Sequence, residues 1–207
     1  MRILVYFPFT DEQLDELRQL AARLGDHELV TAQDEDEARP LATTAEVILG
    51  HFPESVVAGA TSLRWVQSFS AGMDKFLFPA IVERDEVVVT NMAGLYAPQG
   101  GEHAWALLLA LTRGLQASIQ HMAGRQWKGG GATVELTGAT LGLIGLGGFG
   151  LETAKRAAGY DMRLLALDPV RLDPPEGVHE VREPTATNLL WVLSQSDAVV
   201  VGCPLTE

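Results

Sequence analysis

Apolar positions along the first ninety residues alternate between a strand rhythm and a helix rhythm, which predicts a mostly parallel sheet covered by helices. Short β-rich runs at Ile3 to Phe7, His27 to Thr31, Glu46 to Leu49, Arg64 to Ser68 and Val87 to Thr90 read as strands. Between the first two, Leu14, Leu17 and Leu24 share one face of a helix from Asp11 to Leu24. Thr10 is its expected N-cap, Gln13 stands at the capping-box position, and Gly25 ends it. The acidic run at 34–37 reads as a solvated helix start. A loop at 91–98 leads into a long apolar helix from about Gln99 to Gly124, with Pro98 at its entry and Glu102 complementing its dipole. The alternation then resumes with strand Leu141 to Ile144, helix Leu151 to Ala158, strand Arg163 to Leu167, strand Val178 to Val181, helix Ala186 to Ser194 and strand Ala198 to Gly202. The pattern is that of two α/β domains, 1–97 and 98–207.

The junction of the Leu141 strand with the helix after it carries the strongest chemical signal. Residues 140–150 read T-L-G-L-I-G-L-G-G-F-G, so Gly145, Gly147 and Gly150 fit G-x-G-x-x-G. The first glycine allows the tight turn, the second lets a pyrophosphate approach the backbone, and the third lets the helix pack against the strand. Eighteen residues after Gly150, the next strand ends in Asp168, where an acid can accept hydrogen bonds from an adenosine ribose. Strand, glycines, helix and acid in that order predict a Rossmann doubly wound domain that binds a dinucleotide. Four of its usual six strands fall within the chain. The last, an apolar run, is expected at an exposed edge, so a longer protein or a second chain is expected to complete the sheet, with the longer protein favoured.

Composition narrows the partners. The net charge of -12 repels a phosphate backbone and no Lys or Arg cluster offsets it, so nucleic acid is not expected as a partner. Cys203 is the single cysteine, which rules out an internal disulfide and fits a reducing compartment, cytoplasm by default. The apolar stretch Ala104 to Leu111 is far shorter than the roughly 20 residues a membrane helix needs, and no membrane segment is expected. A metal is not expected either, since no histidines recur at i and i+4 in one helix. His27, His51, His103, His121 and His179 read as surface or satisfied polar positions, and Ser70 lacks the G-x-S-x-G elbow of a hydrolase.

Several segments together resemble the D-isomer-specific 2-hydroxyacid dehydrogenases: L-R-W-V-Q-S-F-S-A-G-M-D at 63–74, T-N at 90–91, G-E-H-A-W-A-L-L-L-A-L at 101–111, Q-W at 126–127, the stretch 135–150, D-P at 168–169 and C-P-L-T at 203–206. The resemblance covers nearly the whole chain. It implies a flavodoxin-like substrate domain before an incomplete Rossmann domain, and NAD as cofactor, since the Asp168 carboxylate would repel the extra phosphate of NADP. It implies cofactor contacts at Gly145, Gly147, Gly148, Phe149, Gly150, Asp168, Pro169, Cys203 and Pro204. Ser70, Ala71 and Gly72 become the candidates for holding a substrate carboxylate, with Tyr96 as a further candidate.

By the same resemblance, the protein is an NAD-dependent oxidoreductase interconverting a small 2-hydroxy acid and its 2-keto acid. An NAD-sensing, corepressor-like binding protein on the same scaffold is the alternative. The Arg, Glu and His that relatives use in catalysis are expected beyond Glu207, so no catalytic residue is assigned within the chain, which alone is expected to be inactive. Gly100 and Gly101 replace the Val and Ala common in relatives and are expected to loosen the start of the long helix. The apolar Trp105 to Leu111 surface suggests a homodimer, against the simpler reading that the same face is buried within one subunit.

Overall fold

Residues 1–204 are described in a computed structural model, and they divide into two compact units, Met1–Ala93 and the chain from Gly94 onward. The first unit runs β1 (Arg2–Tyr6), α1 (Asp11–Leu24), β2 (Glu28–Thr31), α2 (Glu35–Ala42), β3 (Val47–Gly50), α3 (Glu54–Val57), β4 (Trp65–Gln67), α4 (Pro79–Val82) and β5 (Val88–Thr90). Its strands lie in the order β2-β1-β3-β4-β5, all parallel, which is the flavodoxin-like arrangement. The capping box of α1 is formed as its sequence predicts, with Thr10 accepting from Gln13 N and the Gln13 side chain accepting from Thr10 N. Leu4, Ile48 and Val66, one from each of three adjacent strands, are fully buried beneath Phe52, Val56 and Leu63.

The second unit runs α5 (Ala97–Thr112), α6 (Leu115–Ala123), β6 (Thr140–Ile144), α7 (Gly148–Ala157), a 3₁₀ turn (Ala158–Tyr160), β7 (Arg163–Leu167), β8 (Glu180–Arg182), α8 (Ala186–Gln195) and β9 (Ala198–Val201). The strands are parallel in the order β8-β7-β6-β9, the 3-2-1-4 core of a doubly wound dinucleotide fold. Among the described residues no helix is long and apolar enough to cross a membrane.

Two expectations need correction here. The long helix at 99–124 is two helices, broken at Gly114, which adopts the left-handed conformation (φ 63°). A side chain there would lie 2.6 Å from the Gly130 carbonyl oxygen, so the triple-glycine loop is the partner that lets the chain turn. Gly100 and Gly101 do not loosen α5, which is continuous from Ala97. They let it approach α7: a Cβ at Gly101 would lie 2.9 Å from the Glu152 Cβ, and one at Gly100 2.7 Å from the Phe149 ring.

Trp105 locks this helix pair. It is 5% exposed, donates its indole N–H to the Thr153 carbonyl at 2.9 Å, and stacks on Tyr160 with ring centroids 4.7 Å apart. Trp105 and Leu108 thus point into this unit's own core, whereas Leu107 and Leu111 face outward. Trp105→Ala is expected to lower stability by about 3–5 kcal/mol, because the cavity left between two glycine-apposed helices has little means to collapse. Urea denaturation of the variant against the parent chain measures this directly.

Candidate functional site: a dinucleotide turn and a strand-end cavity

The turn after β6 is set by backbone contact. Gly145 has φ 102°, and its N–H donates to the Leu167 carbonyl at 2.8 Å, tying β6 to the end of β7. A methyl group at Gly150 would overlap the Gly145 carbonyl oxygen, which explains the third glycine of the fingerprint by close approach of α7 to the strand. At Gly147, by contrast, a methyl group would meet nothing within 4 Å. The middle glycine therefore borders open space at the N-terminus of α7, where backbone N–H groups and the helix dipole favour a phosphate. This is the shape a dinucleotide pyrophosphate requires.

Asp168 closes the turn from the other side. Its carboxylate is 8% exposed and accepts three backbone N–H groups: Leu146 at 2.7 Å on one oxygen, and Val170 at 2.9 Å and Arg171 at 2.8 Å on the other. Burial alone would raise its pKa. The N–H donors of Arg171, Leu146 and Val170, with the Arg171 charge, outweigh burial and hold the carboxyl below its ordinary value. The acid that the sequence marks as a ribose acceptor is thus also the fastener between the glycine turn and the loop after β7.

These groups line one concavity of about 660 Å³, within the usual range for small-molecule sites. Gly145, Gly147, Gly148, Phe149, Asp168, Pro169, Cys203 and Pro204 all border it, while Gly150 supports it from behind. Leu205 and Thr206 of the C-P-L-T segment lie outside the described residues. Sequence reasoning missed Arg171, the one cation among the described lining residues, and Pro184. The D-P-x-R spacing after the strand was the available signal for Arg171. A larger concavity of about 770 Å³ lies along α7, bordered by Lys155, Met162 and His179, but it holds none of the turn's groups. Size alone does not select the site.

Phe149 is held by steric fit. Its ring lodges between Gly100 and Gly202, where a side chain at either position would overlap it. The glycines at 100 and 202 are the complement of a bulky residue in the fingerprint.

In the first unit, the chain ends of β1, β3 and β4 meet at a second concavity of about 310 Å³, bordered by Phe7, His51, Ser68, Phe69 and Phe76. The loop carrying Ser70, Ala71 and Gly72 is pinned there. Met92 N–H donates to the Ser70 carbonyl at 3.1 Å, and the Asn91 side chain donates to the Ala71 carbonyl at 2.9 Å. The Ser70 N–H is already engaged, donating to the Ser68 hydroxyl oxygen at 3.1 Å. The amides of Ala71 and Gly72 make no hydrogen bond among the described residues, so they are free to receive an anion. The Asp74 carboxylate stands close beside Gly72. Tyr96 belongs to the second unit, immediately before α5, and is about half exposed. Among the described residues no cluster of His, Cys, Asp and Glu is placed to hold a metal.

Comparison with known proteins agrees with this geometry. Residues 105–207 match the sequence profile of the D-isomer specific 2-hydroxyacid dehydrogenase NAD-binding domain. Residues 105–207 belong to that family. Over its whole length it is 29% identical to a D-3-phosphoglycerate dehydrogenase of Archaeoglobus fulgidus, of which it covers 39%. Over 73% of its length it is 31% identical to a glyoxylate reductase of Thermofilum pendens, of which it covers 45%. The chain therefore spans less than half the length of these curated relatives. A crystal structure of a family protein from Aeromonas salmonicida superposes with a TM-score of 0.81 at 25% identity, covering 99% of this chain and 64% of that one. Residues 105–207 are thus an NAD-binding domain of this family, and NAD is its cofactor.

Two variants test this dinucleotide turn and the ring packed beside it. Asp168→Asn should cost about 1–3 kcal/mol by mismatching buried N–H donors. Because the folded-state pKa of Asp168 lies below the unfolded one, its stabilisation is present above the unfolded value of about 4 and is lost as pH falls through the folded pKa. The parent should lose stability over that window more steeply than Asp168→Asn, as read from urea midpoints at stepped pH. Gly100→Val should destabilise by about 1–3 kcal/mol through overlap with the Phe149 ring. Adding Phe149→Ala should recover most of that loss, and an additive double variant would contradict the steric pairing.

Proposed function

We propose that the whole protein is an NAD-dependent oxidoreductase that interconverts a 2-hydroxy acid and its 2-keto acid. The observation that carries this is the coincidence, in one concavity, of the Gly145 turn, the open approach at Gly147 and the fastened Asp168. The names of the relatives, D-3-phosphoglycerate dehydrogenase and glyoxylate reductase, support the same reaction class. Gly147, Gly148 and the start of α7 would receive the pyrophosphate on backbone N–H groups. Asp168 would accept from the adenosine ribose with its remaining lone pairs, and Arg171 would add positive charge at the same rim. Pro169, Cys203 and Pro204 would border the bound dinucleotide. When bound, reduced NAD would supply the hydride for C2 of the keto acid, with the proton on the carbonyl oxygen coming from a general acid of the protein.

On the substrate side, Ala71 and Gly72 would hold the carboxylate through their unpaired amides, with Ser70 contributing its hydroxyl. Tyr96 is retained as a further substrate contact. No described histidine is hydrogen-bonded to a carboxylate, and we assign none of them as the general acid that the reaction needs. Residues 1–207 alone are therefore proposed to bind NADH more weakly than the full-length protein and to show no turnover. The outward-facing Leu107, Leu111, Leu115, Ile119 and Met122 along α5 and α6 support a homodimer, and the chemistry fits the cytoplasm.

NADH fluorescence titration tests the cofactor site. Gly147→Val should change stability by no more than about 1 kcal/mol, since its φ of -66° suits an L residue and its Cβ meets nothing. The same change should weaken NADH binding by at least about tenfold, equivalent to ~1.4 kcal/mol. Unchanged affinity would place the pyrophosphate elsewhere and sink the assignment.

A further inference from the structure

Resting on the dehydrogenase reading, we propose that the 310 Å³ concavity at the strand ends of the first unit is a side-chain subsite that selects a 3-aryl-2-keto acid, and its 2-hydroxy counterpart, over two-carbon acids. The location is the first reason. In an open parallel sheet, ligands bind outside the carboxyl ends of the strands where the order reverses, which in this unit is between β1 and β3. Phe7 follows β1, His51 follows β3 and Ser68 follows β4, so the cavity sits at that point.

The lining is the second reason. Phe7 packs edge-on against Phe69 with centroids 4.8 Å apart and lies 5.4 Å from the His51 ring, while Phe9 lies 5.0 Å from Phe7 and 5.5 Å from Phe69. Phe76 borders the other side. Tilted and edge-to-face rings present both hydrogen edges and π-faces, the surfaces that another aromatic ring prefers. The volume suffices, since a dry cavity of roughly 150 Å³ already takes benzene. A glyoxylate-sized molecule would leave these walls unfilled.

The polar end is the third reason. The Ser68 side chain is 1% exposed and lines the cavity. Its oxygen accepts from the Ser70 N–H at 3.1 Å, and its own proton has no acceptor among the described residues. A buried hydroxyl of this kind calls for a ligand that brings an acceptor oxygen. The unpaired amides of Ala71 and Gly72 follow on the same loop. A ligand with an aromatic body and an anionic oxygen at one end meets both demands, whereas a purely apolar one leaves Ser68 unsatisfied.

Two measurements test this and separate it from the reading it rests on. The chain 1–207 is titrated without cofactor with D-3-phenyllactate and, separately, with glycolate, following the Phe and His51 ring protons by NMR. Phenyllactate should shift those resonances and bind at least about tenfold more tightly than glycolate. Phe7→Leu should weaken phenyllactate binding by roughly three- to tenfold and leave glycolate unchanged. The more conservative Ser68→Ala should weaken phenyllactate binding without altering the ring-proton shifts of the free protein. Steady-state reduction of 3-phenylpyruvate and glyoxylate by the full-length protein is measured in parallel. Equal binding of the two hydroxy acids, or perturbation of rings away from Phe7 and His51, would overturn the subsite. So would turnover of both keto acids with equal kcat/KM. Phenyllactate binding at these rings with no keto acid turned over would remove the dehydrogenase reading and leave the aryl-acid subsite standing.

Discussion

The carboxylate of Asp168 accepts N–H groups from residues on two different turns, and the cofactor side of the second unit is organised around that sharing. Leu146 lies in the glycine turn after β6, while Val170 and Arg171 lie in the loop after β7. Without a common acceptor, the donors of the glycine turn and of the exposed loop after β7 would each have to find separate partners. With it, the ends of neighbouring parallel strands are held at one height, and the N-terminus of α7 is aimed across the gap between them. A residue that fixes the scaffold this way and is proposed to meet a ribose is constrained twice, since a change made for the one role also alters the other.

Much of this was legible before any coordinates, where the physics is local. The capping box of α1 needs only Thr10, Gln13 and Gly25, all within the reach of one helix, and its boundaries follow from them. The fingerprint is local too, because Gly145 to Gly150 span one turn; strand alternation placed the strands, while their flavodoxin-like and Rossmann arrangement followed from the resemblance and the fingerprint. The break at Gly114 was not legible. A glycine in an apolar helical run is tolerated, and what decides the matter here is Gly130, sixteen residues later, whose backbone occupies the space a side chain would need. The same holds for Gly100, read as a weakness in α5, which is a recess for a ring nearly fifty residues away.

The candidate sites divide along the same line. The fingerprint described where the backbone goes and left unstated that the Phe149 side chain would be clasped by two glycines from α5 and from the end of β9. His51, read alone, had no acid beside it and earned no role. Its surroundings come from β1 and β4, and only the folded sheet brings Phe7 and Phe69 to it. The loop at 70–72 was marked by resemblance, yet which of its amides remain available depends on Ser68, which takes the Ser70 N–H, and a linear reading does not rank it.

Every strand pairing in both sheets is parallel, and none joins strands through a tight hairpin. The pairing of β6 with β9, Leu141 with Ala198, closes a span of 57 residues. On a ribosome moving at roughly 5–20 residues per second, one flank of β6 would stay unpaired for about 3–11 s after it emerges. Contacts of such sequence separation also make folding slow once the chain is free. The arrangement that gives the dinucleotide its crevice therefore leaves a sticky, half-built sheet in the nascent chain, and the demand for chaperone protection during synthesis is written into the strand order itself.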